Sequence, residues 1–314
     1  MQGCYLPHLL HLLRENSADI APERKRAVFR SLLTSAGLFL PALVERAYYG
    51  GRVESTPIDK PPVFILGHWR SGTTYLFNLM SQDPSLSYTD SVTTFTCHNY
   101  IWLRRILPHF YKKALPGDRV GDDIAFLPDS PQEECYAMAN TIDETFTHLI
   151  TFPCRAEHYM DLAFADGMTP EQQALWKKTH LHMLRKLTYF RKGKRILFKS
   201  PDNTAKMYML HELYPGAKFV NIYRSPYQSV ASTINMYREG IRMMTFESVP
   251  DDGFIEDGTI TFFRRIYTQY FADLERMPSG SVAEISYDGL VRDPVGTLRR
   301  VYGELGLAGF AEAE

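Results

Sequence analysis

Apolar residues follow two rhythms along this chain. Short runs rich in β-branched and aromatic residues occur at "PVFIL" (62–66), "ILFK" (196–199), "AKFVNIY" (217–223) and "SVAEISY" (281–287). They are too short for stable helices and predict buried strands. Between them come segments with a helical period: "TTYLFNLM" (73–80), "TPEQQALWKKTHLHMLRKLTYF" (169–190), "DNTAKMYMLHELYP" (202–215), "PYQSVASTINMYREG" (226–240), a stretch through "FFRRIYTQYFADLERM" (262–277), and "DPVGTLRRVYGELG" (293–306). Thr169 is placed to cap the second of these. Strands alternating with such helices predict an α/β chain, a three-layer α/β/α sandwich around a mostly parallel sheet.

Two regions break the alternation. Residues 1–60 read as helices and connectors ending in "YYGGRVESTPIDKPP", so an N-terminal helical extension is expected before a main domain at 61–314. Residues from about 90 to 165 are irregular and aromatic, an insertion suited to roofing a pocket. The best helix there is "SPQEECYAMANTIDETF" (130–146), with Ser130 as N-cap and Pro131 in the first turn. In the extension, Arg24, Lys25, Arg26 and Arg30 precede about 14 mostly apolar residues interrupted by Pro41. This reads as a buried helix with a solvated basic end, or as an interfacial helix making peripheral membrane contact. No uninterrupted apolar run reaches the roughly 18 residues of a membrane span.

Composition narrows the options. The 314 residues are 45% hydrophobic and carry a net charge of −1, which gives no support for a broad nucleic-acid surface. Cys4, Cys97, Cys135 and Cys154 are widely spaced, with no CxxC pair, which fits a reducing, cytoplasmic setting. His180 and His182 have no carboxylate grouped with them, and no metal site is expected.

The chemistry gathers at three predicted strand ends, where ligands sit in open α/β sheets. After the first comes Gly67-His68-Trp69-Arg70-Ser71-Gly72-Thr73-Thr74, with the glycine spacing of a phosphate loop. Thr73 stands where a nucleotide kinase has lysine, and the cation, Arg70, lies inside the loop. Backbone N–H groups and the hydroxyls of Ser71, Thr73 and Thr74 suit a phosphate-like anion. Lys199 ends the second strand. Arg224 follows the third, with Ser232 eight residues on.

"RSGTT" after a buried strand resembles the 5′-phosphosulfate loop of sulfotransferases that use 3′-phosphoadenosine 5′-phosphosulfate (PAPS), in the bacterial-type group with Arg-Ser-Gly-Thr-Thr. "YRSPYQSVAS" resembles their 3′-phosphate motif, "FKSP" the intervening lysine strand, and "ISYDGLVRDPVGTLRRVYGELGL" their late Tyr-Glu-Asp-Leu segment. The resemblance runs from about Pro61 to Leu307. It implies a P-loop-like sulfotransferase fold, PAPS as co-substrate with no metal, and catalytic roles for Arg70 and Lys199. It also implies donor binding by Arg70, Ser71, Gly72, Thr73, Thr74, Arg224, Ser232 and Tyr287.

The general base is less legible. The bacterial-type pattern often reads Lys-Ser-Pro-x-His, and Asn203 stands in place of that histidine. Glu133, matching the glutamate of a Pro-Gln-Glu segment, His98 and Asp90 are the candidates. Phe, Tyr, Met and Ile in the roof favour a hydrophobic, hydroxylated small molecule or lipid-like acceptor. A nucleotide kinase with a degenerate loop and a non-catalytic nucleotide binder are the alternative readings. Relatives commonly return basic residues to the 3′-phosphate late in the chain. Here the sequence reads "GLAGFAEAE" (306–314), so that task is met differently or the natural chain is longer.

Overall fold

The computed structural model describes residues 3–104, 106 and 127–310. Five strands, β1 (Val63–Leu66), β2 (Leu86–Tyr88), β3 (Arg195–Lys199), β4 (Lys218–Tyr223) and β5 (Val282–Ser286), form one sheet in the order β2-β3-β1-β4-β5. Every neighbouring pair is parallel, with Val63 opposite Leu197 on one side and Lys218 on the other.

Period-two alternation sends the side chains of the central strands into two separate cores. Phe64, Leu66, Ile196, Phe198 and Phe219 enter the larger one, which Trp176, Leu184, Phe262, Ile266 and Tyr270 complete. Val63, Ile65, Leu197, Val220 and Ile222 face the smaller, closed by Leu76, Phe77, Met80, Val301 and Leu305. Both faces being covered explains why these strands read as nearly unbroken apolar runs, and the result is the three-layer sandwich expected.

Thirteen α-helices occur among the described residues. The first four are α1 (Leu6–Glu15), α2 (Lys25–Glu54), α3 (Thr73–Met80) and α4 (Ser91–Phe95). Then come α5 (Tyr100–Leu103), α6 (Cys135–Ala139), α7 (Ala156–Asp161) and α8 (Pro170–Phe190). Last are α9 (Met207–Leu213), α10 (Pro226–Met244), α11 (Asp252–Leu274), α12 (Tyr287–Arg292) and α13 (Pro294–Leu305). Thr169 caps α8 in a reciprocal capping box with Gln172.

Several boundaries differ from the sequence pattern. β2 is an additional strand; it is only three residues long and pairs with β3 alone. The helix expected over 130–146 shrinks to α6. Pro131 instead bridges Asp90, and Gln132 donates its N–H to the Thr89 carbonyl (2.8 Å), which keeps the chain extended there. Phe146–Ile150 forms a separate 3₁₀ turn. Residues 201–206 are also 3₁₀ before α9 begins. The helix expected through 262–277 begins earlier, at Asp252, and Asp251 caps its first turn through the Phe254 N–H (2.8 Å).

The largest difference lies in the extension. α2 runs unbroken for 30 residues, through Pro41 and into the segment that reads as a turn, about 45 Å at 1.5 Å per residue. A proline inside a helix costs a hydrogen bond but need not end it. The span Pro22–Glu54 contains an 18-residue window of mean hydropathy 1.6, long and apolar enough by composition to cross a membrane. Breaking the run at Pro41 hides that property in the sequence.

Candidate active site

Leaving β1, the chain enters α3, which packs on the smaller core; leaving β4, it enters α10, whose Tyr237 and Ile241 belong to the larger. Adjacent strands whose exits diverge to opposite faces open a crevice at their carboxyl ends. The loop 67–72 occupies it. Gly67 and Gly72 have φ of 134° and 102°, and Arg70 sits at 64°, backbone that glycine adopts at least cost. A Cβ on Gly67 would stand 2.4 Å from the Ile222 carbonyl oxygen of the neighbouring strand.

Internal bonds hold the loop in shape. The Gly67 N–H donates to Thr204 Oγ1 (2.8 Å) and the Ser71 hydroxyl to the His68 carbonyl (2.7 Å). Ser71 therefore staples the turn rather than presenting its hydroxyl outward. α3 starts at Gly72 with no side-chain cap, so its first-turn N–H groups open onto the loop as an anion site.

Helix α10 grips the loop twice. Arg70 Nε donates to Ser232 Oγ (2.9 Å), and Thr233 Oγ1 donates to the Trp69 carbonyl (3.1 Å). Arg224 bonds Gln228 (3.0 Å), and its guanidinium lies 4.5 Å from the centre of the Tyr287 ring. That ring closes against Gly72: a Cβ there would be 2.3 Å from Tyr287 Cδ2. Arg70, Gly72, Arg224, Ser232 and Tyr287, scattered over 218 positions, form one wall.

Lys199 supplies the opposite side. Fully buried, its ammonium pairs with Glu133 Oε1 and lies 3.3 Å from Thr74 Oγ1 at the start of α3. A buried pair of this kind is costly to break from either side. Glu134, which the sequence pattern does not single out, is equally buried. It accepts the Lys199 backbone N–H (3.1 Å) on one oxygen and the Asn203 amide on the other. Burial pushes its carboxyl up to about 7, with nearby Asp202 adding to the rise. Asn203 thus stands as a neutral donor to a buried carboxylate. The cue in the sequence was the doubled glutamate, but nothing local says that both are buried or which of them takes the Lys199 ammonium.

His98 and Asp90 are not brought to this cluster. Asp90 caps α4 and pairs with Arg191. His98 Nε2 donates to the Asn140 carbonyl (3.1 Å), and burial, reinforced by the Lys186 charge, lowers its pKa to about 4. It lines a separate cavity of about 550 Å³ between α2 and α8, into which Tyr49, Ile101, Met138 and Leu181 also project. A buried Glu45–Lys186 pair borders that cavity, joining α2 to α8. His68 is buried under Phe263 (ring centres 4.8 Å apart), donates Nδ1–H to the Trp69 carbonyl (3.0 Å), and is pushed down to about 4 by burial.

A parallel α/β sheet here carries a glycine turn, three cations and a buried carboxylate at its carboxyl edge, an arrangement suited to an anionic ligand. Residues 61–312 match the model of the sulfotransferase family. The chain belongs to that family and is a sulfuryl-transferring enzyme, which takes the place of the nucleotide-kinase reading.

Over 311 residues it is 28% identical to the omega-hydroxy-beta-dihydromenaquinone-9 sulfotransferase Stf3 of Mycobacterium bovis and equally to that of Mycobacterium tuberculosis, spanning 98% of this chain and 79% of theirs. Two solved structures share the fold. Sulfotransferase STF9 of Mycobacterium avium matches with a TM-score of 0.70 and 18% identity, over 93% of this chain and 76% of that one. STF1 of Mycobacterium tuberculosis matches with 0.67 and 19%, over 91% and 80%. Family membership implies PAPS as the co-substrate.

Proposed function

We propose that the chain transfers the sulfuryl group of PAPS, without a metal, to the hydroxyl of a hydrophobic, lipid-like alcohol met at a membrane surface. The observation that carries this reading is the convergence of Arg70, Lys199 and Glu133 around the start of α3. First-turn N–H groups and Thr74 bind the 5′-phosphosulfate. Arg70 and Lys199 stabilise charge on the bridging and equatorial oxygens as sulfur passes in line between them. Arg224 and Ser232 take the 3′-phosphate, and Tyr287 closes the adenosine side. Because Ser232 also holds Arg70, filling the 3′-phosphate site bears directly on the residue at the transfer site. Glu133, released from Lys199 as the donor arrives, accepts the proton of the attacking hydroxyl. The acceptor oxygen bonds to sulfur, the sulfur–phosphate oxygen bond breaks, and adenosine 3′,5′-bisphosphate leaves.

Two observations support the acceptor class. Stf3, by its name, acts on a hydroxylated menaquinone. In this chain α2 leaves Phe29, Leu33, Leu40 and Tyr48 at least 65% exposed, with Arg24, Lys25 and Arg26 at or just before its start, a pattern suited to lying in a lipid interface. Trp102, 45% exposed and 5.6 Å from the Tyr48 ring, extends the same apolar surface. The apolar cavity beneath α2 would receive part of the acceptor's chain.

Calorimetric titration with adenosine 3′,5′-bisphosphate, alongside ATP plus Mg²⁺, tests the donor assignment. Tight bisphosphate binding in EDTA, weakened about 30-fold in Arg224→Ala by loss of a charge-assisted contact, is the expected result. Binding of ATP with Mg²⁺ in preference, or an Arg224→Ala protein that binds as the wild type does, overturns it.

A further inference from the structure

Away from the transfer site, α1 brings His8 against two residues of the roof segment, Asp143 and His148. One ligand-capable atom from each lies within 4.8 Å of the other two. Both histidines have Nε2 committed to a backbone carbonyl, His8 to Ala139 (3.1 Å) and His148 to Ile142 (2.9 Å). A carbonyl only accepts, so each Nε2 carries the proton and each neutral ring is left with its lone pair on Nδ1.

His8 Nδ1 lies 3.3 Å from Asp143 Oδ1. That oxygen is buried and has no hydrogen-bond partner among the described residues. A ring lone pair and a carboxylate oxygen facing each other at this distance repel unless something positive joins them. Tetrahedral ligands at about 2.05 Å from zinc stand about 3.3 Å apart, the separation found here. Anchoring the far ring nitrogen on a carbonyl is also how metal-bound histidines are oriented. The other carboxylate oxygen, Oδ2, is held by His11 Nε2 (2.8 Å) on the solvent side, one helical turn beyond His8.

We infer that His8, Asp143 and His148 form a binding site for a first-row divalent cation, zinc fitting the nitrogen and oxygen donors best, with His11 orienting the carboxylate. Its role is structural. The 3₁₀ turn bearing His148 also carries Phe146, which packs on Trp69 of the phosphate loop (ring centres 5.2 Å apart) and stacks on Phe262 (4.5 Å). A cation at the site ties the N-terminal helix to the turn that braces the loop. Sulfuryl transfer itself uses no part of it.

The full chain, stripped with chelator and dialysed, is titrated with Zn²⁺ and followed by calorimetry and by metal analysis after gel filtration. One equivalent bound by the wild type, with affinity at least about tenfold lower in His148→Gln and in Asp143→Asn, is expected. At a hundredfold excess over Kd the thermal midpoint of the wild type rises by about 5 °C, and that of the variants does not. Failure of the wild type to retain zinc, or equal retention by the variants, overturns the inference. If His148→Gln does not fold, Asp143→Asn, at a partly exposed position, decides alone. Co²⁺ substituted into the wild type gives an independent readout: intense visible absorption of tetrahedral nitrogen–oxygen ligation supports the site, and an octahedral spectrum overturns it.

Discussion

The two sides of the cleft are built in different ways. The proposed donor side hangs on β1, β3 and β4, strands buried on both faces, and each contributes a cation at or just past its end: Arg70, Lys199 and Arg224. Its contacts run from loop to strand or helix over short paths. The proposed acceptor side is made of 3₁₀ turns, short helices and the long α2. Within it the buried Glu45–Lys186 pair joins α2 to α8. A rigid edge suits an invariant donor, where charges must be placed before reaction. On the proposed reading, an irregular wall beside an apolar cavity suits a hydrophobic, lipid-like acceptor. Glu133 stands at the seam, on the acceptor side by sequence and on the donor side by its bond to Lys199.

The sharpest test of that seam is Glu133→Gln. Turnover should fall about 10³-fold if its carboxylate takes the proton, while bisphosphate affinity measured by calorimetry stays within a few-fold. Turnover within tenfold of wild type would return Glu133 to a purely structural pairing with Lys199.

Glu134 separates positioning from chemistry. Its carboxyl ionises near 7 in the folded chain against 4.5 unperturbed. The folded state therefore holds a proton that the unfolded state has lost between those values. Stability is greatest below about pH 4.5 from this group and declines as pH rises through 7, by up to about 3 kcal/mol. Denaturant unfolding at pH 5 and pH 8 should show the decline in wild type and a smaller one in Glu134→Gln. Identical pH dependence in the two proteins would mean that Glu134 is charged throughout.

On the donor side, Gly72→Ala combines a left-handed backbone with a Cβ driven into Tyr287. A loss of about 2 kcal/mol in stability is expected by thermal unfolding, together with weaker bisphosphate binding as the ring shifts from Arg224. The smallest effect belongs to the acceptor side. Leu40→Ser, at a position 67% exposed, should lower partitioning onto anionic lipid vesicles about five-fold in a sedimentation assay. Turnover of a short, water-soluble alcohol should not change. Unaltered vesicle partitioning would remove α2 from the interface.

How much was legible follows the same division. "PVFIL", "AKFVNIY" and the helical periods declare themselves because a strand covered on both faces must be apolar throughout, and a helix on its surface must repeat at 3.6. "RSGTT" and "YRSPYQSVAS" are readable for a similar local reason: a tight turn meeting an anion needs glycine, hydroxyl and guanidinium in sequence. β2 was missed because three residues with one partner leave no run. The helix expected over 130–146 failed because Pro131 and Gln132 bond to residues 89 and 90 instead of continuing a helical ladder. The apolar run of α2 read as interrupted at Pro41, a strong local break, whereas the folded helix continues through it.

What the sequence alone determined is therefore the layer architecture, the phosphate loop and its cations, since each depends on residues close in the chain and on burial that composition reveals. Only the tertiary structure decided which of two adjacent glutamates meets the Lys199 ammonium and which its backbone N–H, where Asn203 directs its amide, and that His8 faces Asp143 and His148. Those outcomes depend on ångström-scale approach between segments from 65 to 140 residues apart. The local sequence treats Glu133 and Glu134 alike; the packed neighbours Ser200, Asn203 and Lys199 assign their roles.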